Sequence, residues 1–307
     1  MHKQILLYYK YVTIDNPETV KIEQQVLCKR LKLTGRIIIA TEGINGTVCG
    51  SPEETEAYIA CMRQNSLFTD VDFKTSTVNG AHEYFPKLQI VVRPEIVHTG
   101  LDKEKYAAQF GGKHLTPDQA HALLEQKPED LVVLDGRNDY EARVGKFVDA
   151  VIPPIDTCRD FPTYVDQNIE QFKDKQVLMY CTGGVRCERL SSYLKEKGIA
   201  KEVYQIEGGI HRYVEKYPDG FFRGKNYVFD ARVTAHVNDD VLSLCDLCNG
   251  SSDDYTNCKN ALCNKQYISC PSCTEKFNNC CSQECHELLA EGKVPARPYR
   301  PKVNAEI

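Results

Sequence analysis

The chain has no tryptophan and only three methionines, so its core must be filled by aliphatic side chains, Tyr and Phe. No apolar run approaches the roughly 20 residues that cross a bilayer, which excludes a membrane-spanning helix. The start, Met1-His2-Lys3-Gln4-Ile5, leads into only a short apolar run with no small-residue cleavage site, so no signal peptide is expected. Positive charge is not in excess. The formal net charge is −5, and a nucleic-acid partner would have to meet a local basic patch. Histidine is scarce at eight, and no His pair stands with a carboxylate at facial-triad spacing. No haem or flavin signature is evident, so no organic cofactor is expected. Cysteine is abundant: fifteen in 307 residues. Without an export signal this argues for a cytoplasmic chain whose thiols bind metal or react rather than pair. Charged residues at 26% and hydrophobic residues at 42% are ordinary for a globular protein, and the length suits two or three domains.

The most informative stretch is Tyr180-Cys181-Thr182-Gly183-Gly184-Val185-Arg186-Cys187. Gln176–Tyr180 reads as a buried strand. Val185–Lys197 reads as a helix with Val185, Leu190, Tyr193 and Leu194 on its apolar stripe, stopped by Gly198. Cys181 therefore sits between a strand end and a helix start. Gly183 and Gly184 let the backbone turn its N–H groups inward. Those groups, the positive helix end and Arg186 favour an anion, so the Cys181 thiol should ionise easily.

The expected fold class is α/β, in three parts. Residues 1–93 read β-α-β-β-α-β-β, a ferredoxin-like plait. Its strands are Gln4–Val12, Gly35–Ala40, Gly46–Cys49, Val71–Thr77 and Leu88–Val92, and its helices run from Asn16 to about Leu31 and, after a Ser51–Glu54 capping box, to about Arg63. Gly43–Gly46 reads as a turn, in which Asn45 is expected to tolerate a positive φ. Residues 94–115 read as a linker or docking segment, with His98 and His114 as surface or capping residues rather than ligands. Residues 116–224 alternate strands (Leu131–Leu134, Val148–Ile152, Gln176–Tyr180, Val203–Gln205) with helices, the pattern of a parallel sheet. Cys181, Asp135 and Arg137 all follow strands, where such sheets place their sites. Asp135 and Arg137 are candidate site residues, though holding neighbouring loops suits them better. Arg159, in the Asp156–Phe161 connection, is expected in a solvated loop.

Residues 225–307 open with a short strand, Tyr227–Asp230. Then come Cys245-x2-Cys248, Cys258-x4-Cys263, Cys270-x2-Cys273 and Cys280-Cys281-x3-Cys285. Paired thiolates at these spacings suit two four-thiolate structural Zn²⁺ sites, with iron–sulfur as the rival. One of Cys280 and Cys281 is spare. Cys281 is the better ligand because it lies one helical turn from Cys285, and His286 is a substitute. Whether the pairs combine adjacently or interleaved is not readable from spacing. So polar a segment needs such clips to fold. The basic, Pro-rich tail Lys293–Lys302 reads as extended, with a phosphate contact as an option.

The Cys181–Arg186 loop resembles the active-site loop of rhodanese domains. Val133-Leu134-Asp135-Gly136-Arg137 with Tyr140, Glu141 and Gly145, the run Ala150–Pro153, and Gln205-Ile206-Glu207-Gly208-Gly209-Ile210 resemble that domain's other segments. With Cys187, the N-terminal domain and the Cys-rich end, the whole chain resembles the bacterial tRNA uridine hydroxylase family. The resemblance implies an acylphosphatase-like first domain and oxygen-dependent conversion of the wobble uridine in the tRNA anticodon region to 5-hydroxyuridine, with an unknown reductant. Cys181 would attack C6 of uracil or carry an activated sulfur, with Arg186 and the N–H groups of Thr182, Gly183, Gly184 and Val185 stabilising charge. Cys187 would resolve an oxidised Cys181, or simply be buried. Two alternatives stay open: a sulfurtransferase carrying a persulfide on Cys181, and a non-catalytic RNA- or protein-binding adaptor. A phosphatase fits poorly, since its Cys-to-Arg loop is longer by a residue.

Overall fold

The computed structural model describes residues 2–297. The N-terminal domain contains β1 (His2–Tyr11), α1 (Pro17–Arg30), β2 (Thr34–Ala40), β3 (Gly43–Gly50), α2 (Pro52–Gln64), β4 (Lys74–Asn79) and β5 (Leu88–Val92). Its sheet order is β4-β1-β3-β2-β5, antiparallel except for β2 beside β5. Both helices start as their sequences dictate. Pro17 follows the Asn16 cap, and Ser51 with Glu54 closes a capping box. Leu6, Tyr8, Ile37, Ile39, Ile44 and Val48 meet Tyr58 and Met62 in the core.

Two expectations fail in this domain. Gly43–Gly46 is not a turn, because β3 already pairs there with β1 (Tyr11↔Gly43, Tyr9↔Asn45). Asn45 is thus extended, and its amide donates to the Ile96 carbonyl at 3.0 Å. β4 also starts at Lys74 rather than Val71.

The central domain contains β6 (Lys113–Leu115), α3 (Pro117–Gln126), β7 (Leu131–Asp135), α4 (Asp139–Ala142), β8 (Gly145–Phe147), α5 (Phe161–Gln167), β9 (Gln176–Tyr180), α6 (Val185–Glu196), β10 (Glu202–Ile206) and α7 (Gly209–Lys216). Its parallel sheet has the order β6-β10-β9-β7. The stretch read as a linker therefore ends in a strand of this sheet. Val148–Ile152 is not a strand: Asp149 turns the chain at φ +58°, and only Val151 bridges to Leu134. The neighbouring Gly145–Phe147 pairs instead with β11 (Phe222–Gly224).

The C-terminal region contains β12 (Asn226–Tyr227), β13 (Thr234–Ala235), β14 (Tyr255–Asn257), β15 (Gln266–Ile268), α8 (Pro271–Lys276) and α9 (Gln283–Ala290). The expected strand Tyr227–Asp230 is shorter, because residues 228–233 form the tip of the β12–β13 hairpin. Within the basic tail, Ala296 bridges to Asn260 and Arg297 donates to the carbonyls of Lys259 and Cys258. The rest of that tail, from residue 298, lies outside the described residues. Among the described residues no helix is long and apolar enough to cross a membrane.

Candidate active site and metal module

Cys181 leaves β9 beside the end of β7, where Tyr180 pairs with Asp135. The loop turns at Gly184, whose φ of +102° few residues but glycine adopt. The Gly184 N–H points back at Cys181 Sγ, 3.2 Å away. Gly209 closes the loop from below, at φ +64°, and a Cβ there would lie 2.3 Å from the Cys181 carbonyl oxygen. The N–H groups of Ile210 and His211 then donate to the carbonyls of Cys181 and Thr182 at 2.9 and 3.1 Å. Two helices, α6 and α7, thus begin against one loop.

Cys181 is fully buried. Burial by itself would raise its pKa. The Cys187 thiol, the Arg186 charge and the N–H groups of Cys187 and Arg186 outweigh burial and hold Cys181 at about 5, against an ordinary 9.0. Cys187 goes the other way: burial and the neighbouring Cys181 keep it protonated, so it serves as donor to the thiolate.

Arg186 does not face the loop alone. It forms a two-point ion pair with Glu141 (Nη1–Oε1 2.5 Å, Nη2–Oε2 2.8 Å) and reaches Thr182 Oγ1 at 3.2 Å. Its charge is therefore shared with a buried carboxylate, and the Cys187 thiol is the largest stabiliser of the Cys181 anion, ahead of Arg186 and the backbone N–H groups. Asp135 and Arg137, both fully buried, bind each other at 2.7 and 3.0 Å, and Arg137 also reaches the Gly145 carbonyl at 2.7 Å. They brace the loop after β7 and do not touch Cys181's sulfur. Arg159 is exposed, as read.

The N-terminal domain completes this site. Alternation along β1 sends Leu6 and Tyr8 into its own core and Leu7, Tyr9 and Tyr11 to the opposite face. That face sits on the loop. Gly183 abuts Leu7, and Gly184 abuts the Tyr9 hydroxyl. Tyr9 donates to Glu188 at 2.8 Å, and Tyr11 to the Val185 carbonyl at 3.2 Å. Glu188 also meets His114 at 3.0 Å and Gln205 at 3.1 Å, so His114 is exposed, as read, and partners α6 as well. Arg189, fully buried, binds Glu42 at 2.6 Å. Sequence reasoning missed Tyr9, Glu188 and Arg189. The available signal was the second apolar face of β1, which the plait's own helices could not cover.

The cysteine pairs combine interleaved. Cys245, Cys248, Cys270 and Cys273 form one group, and Cys258, Cys263, Cys281 and Cys285 the other, each with its sulfurs within 4.8 Å of one another. Four thiolates about 2.3 Å from one ion form a tetrahedron with edges of ~3.8 Å. The edges Cys248–Cys270 (3.7 Å), Cys263–Cys281 (3.6 Å) and Cys281–Cys285 (3.9 Å) fit that figure. The donor set therefore suits a single ion in each group. A multi-iron cluster would hold its thiolates farther apart. Cys280 is buried outside both groups, and His286 points at the Phe277 carbonyl instead.

Three families match along the chain: UPF0176 acylphosphatase like domain over residues 3–96, Rhodanese-like domain over 116–216, and Rhodanase C-terminal over 223–286. Curated relatives match nearly end to end. A tRNA uridine(34) hydroxylase of Corynebacterium jeikeium is 41% identical over 94% of this chain and 96% of its own. One of Cytophaga hutchinsonii is 41% identical over 92% and 89%, and one of Staphylococcus carnosus 40% identical over 94% and 90%. The chain, with its plait docked on a rhodanese-type loop and two groups of four cysteines in its C-terminal region, belongs to the tRNA uridine(34) hydroxylase family.

Proposed function

We propose that this protein hydroxylates uridine 34 of tRNA at C5 and that Cys181 is the nucleophile. The observation that carries the reading is a fully buried thiol that faces the Gly184 N–H, the Cys187 thiol and the Arg186 charge, surroundings that lower its pKa to about 5. Such a group is a thiolate at neutral pH and needs no separate base.

Cys181 Sγ adds to C6 of uracil, and the electron pair of the C5–C6 double bond moves to C5 and O4 as an enolate. Loop N–H groups and Arg186 stabilise that charge. C5 then bonds to dioxygen, and protonation gives a C5 hydroperoxide. A two-electron donor from solution, with two protons, cleaves the O–O bond to leave a C5 hydroxyl and water. Loss of the C5 proton expels Cys181 from C6 and restores the double bond. The sum is uridine, O₂, two electrons and two protons giving 5-hydroxyuridine and water. Cys187, protonated beside Cys181, donates a hydrogen bond to the released thiolate, or resolves Cys181 if it is oxidised. Asp135, Arg137 and Glu141 position the loop. Two structural Zn²⁺ ions, one in each cysteine group, fold the C-terminal module, and the chain works in the cytoplasm.

The test is mass spectrometry of tRNA nucleosides from cells lacking the protein. 5-Hydroxyuridine derivatives should return with the wild type and stay absent with Cys181→Ser. Their return with Cys181→Ser contradicts the mechanism. Persulfide on Cys181 with unchanged tRNA selects sulfur transfer instead.

A further inference from the structure

Leu7 and Tyr9 close the Cys181 loop on one side, so a substrate must approach by another edge. Solvent reaches the loop at Thr182 (7% exposed), Val185 and the Arg186 side chain (9%). At that edge stands Phe229, 52% exposed, its ring centroid 5.9 Å from the Arg186 guanidinium carbon.

Phe229 is not on a loose loop. The Val228 N–H donates to the Val233 carbonyl at 2.8 Å, and the Ala231 N–H donates to the Tyr84 carbonyl of the N-terminal domain at 3.1 Å. Asp230 and Arg232 form a buried two-point ion pair at 2.9 and 2.7 Å. The Tyr227 ring packs at 71° to Phe229, centroids 5.4 Å apart. Three parts of the molecule thus fix one exposed aromatic ring beside the reactive loop. A fixed ring loses little side-chain freedom when a partner covers it. The Arg186 guanidinium lies over the ring and leaves the rest of it exposed, so the ring suits a flat partner with polar edges better than an aliphatic one. Proteins read unpaired RNA bases in this way, by stacking a splayed base on an aromatic face.

We infer that Phe229 is the platform on which the target base of the tRNA stacks when it leaves the anticodon loop, with Arg186 and Thr182 at its polar edge. The inference rests on the proposed hydroxylase function and deepens it by assigning a substrate-contacting residue in the C-terminal region.

The experiment titrates full-length protein into an anticodon stem-loop RNA carrying fluorescent pyrrolocytidine at the wobble position. Stacking quenches the fluorophore. Wild type, Phe229→Tyr and the remote exposed-surface control Ile22→Ala should quench equally. Phe229→Ala and Phe229→Leu should lose the quench and bind about tenfold more weakly, since Leu keeps apolar bulk without a π-face. The KM for tRNA should rise by a similar factor, with the Cys181 thiolate absorbance unchanged. Quenching by Phe229→Ala or Phe229→Leu at the wild-type level, or none by the wild type, overturns the assignment. Hydroxylation of tRNA by the wild type is read separately. Its absence counts against the proposed function, while the quench still decides the platform.

Discussion

Cys181 and Cys273 are both buried thiols, yet their neighbours differ in kind. Cys181 faces the Gly184 N–H, the Cys187 thiol and the Arg186 charge, all of which accommodate one negative charge without a metal. Cys273 faces three other cysteines. Four thiols so close cannot all ionise unless a cation sits among them, and a divalent ion supplies that charge. One anion is handled by a helix start; four need an ion.

The largest way to break the contrast is to remove a ligand from the module. With the proposed zinc in each cysteine group, Cys245→Ser should cost one ion and unfold that module, because structural zinc contributes on the order of 10 kcal/mol to such folds. Elemental analysis and limited proteolysis of residues beyond 240 would read it. Cys280→Ala should leave both ions bound. Next in size is Glu141→Ala, which strands the buried Arg186 and should cost roughly 3–5 kcal/mol in denaturant unfolding. Glu141→Gln should be milder. Cys187→Ala sharpens the comparison from the other side. It removes the donor to Cys181, so the Cys181 pKa should rise and the thiolate fraction fall at mildly acidic pH, seen as a shift of the pH–activity curve to higher pH. Smallest is Tyr9→Phe, which deletes one hydrogen bond between domains and should cost about 1 kcal/mol by chemical denaturation.

The two regions were also unequally legible. The Cys181 loop could be read because every cue is local: an apolar strand, paired glycines and a helix start lie within a few residues. The capping box at Ser51 is local for the same reason. The cysteine pairs announced metal, but their interleaving depends on how β14, β15 and the two short helices fold back, which spacing does not encode. Contacts such as Tyr9 to Glu188 join residues far apart in sequence and left no mark except the alternation of β1. Val148–Ile152 looked like a strand by composition, yet Asp149 takes a positive φ and the sheet passes it by.

The most direct test of the contrast is a pH titration of thiolate absorbance at 240 nm, taken as the difference between wild type and Cys181→Ser. The account predicts a midpoint near the value of about 5 set by the loop. A midpoint near 9, the ordinary value for a cysteine, would contradict it.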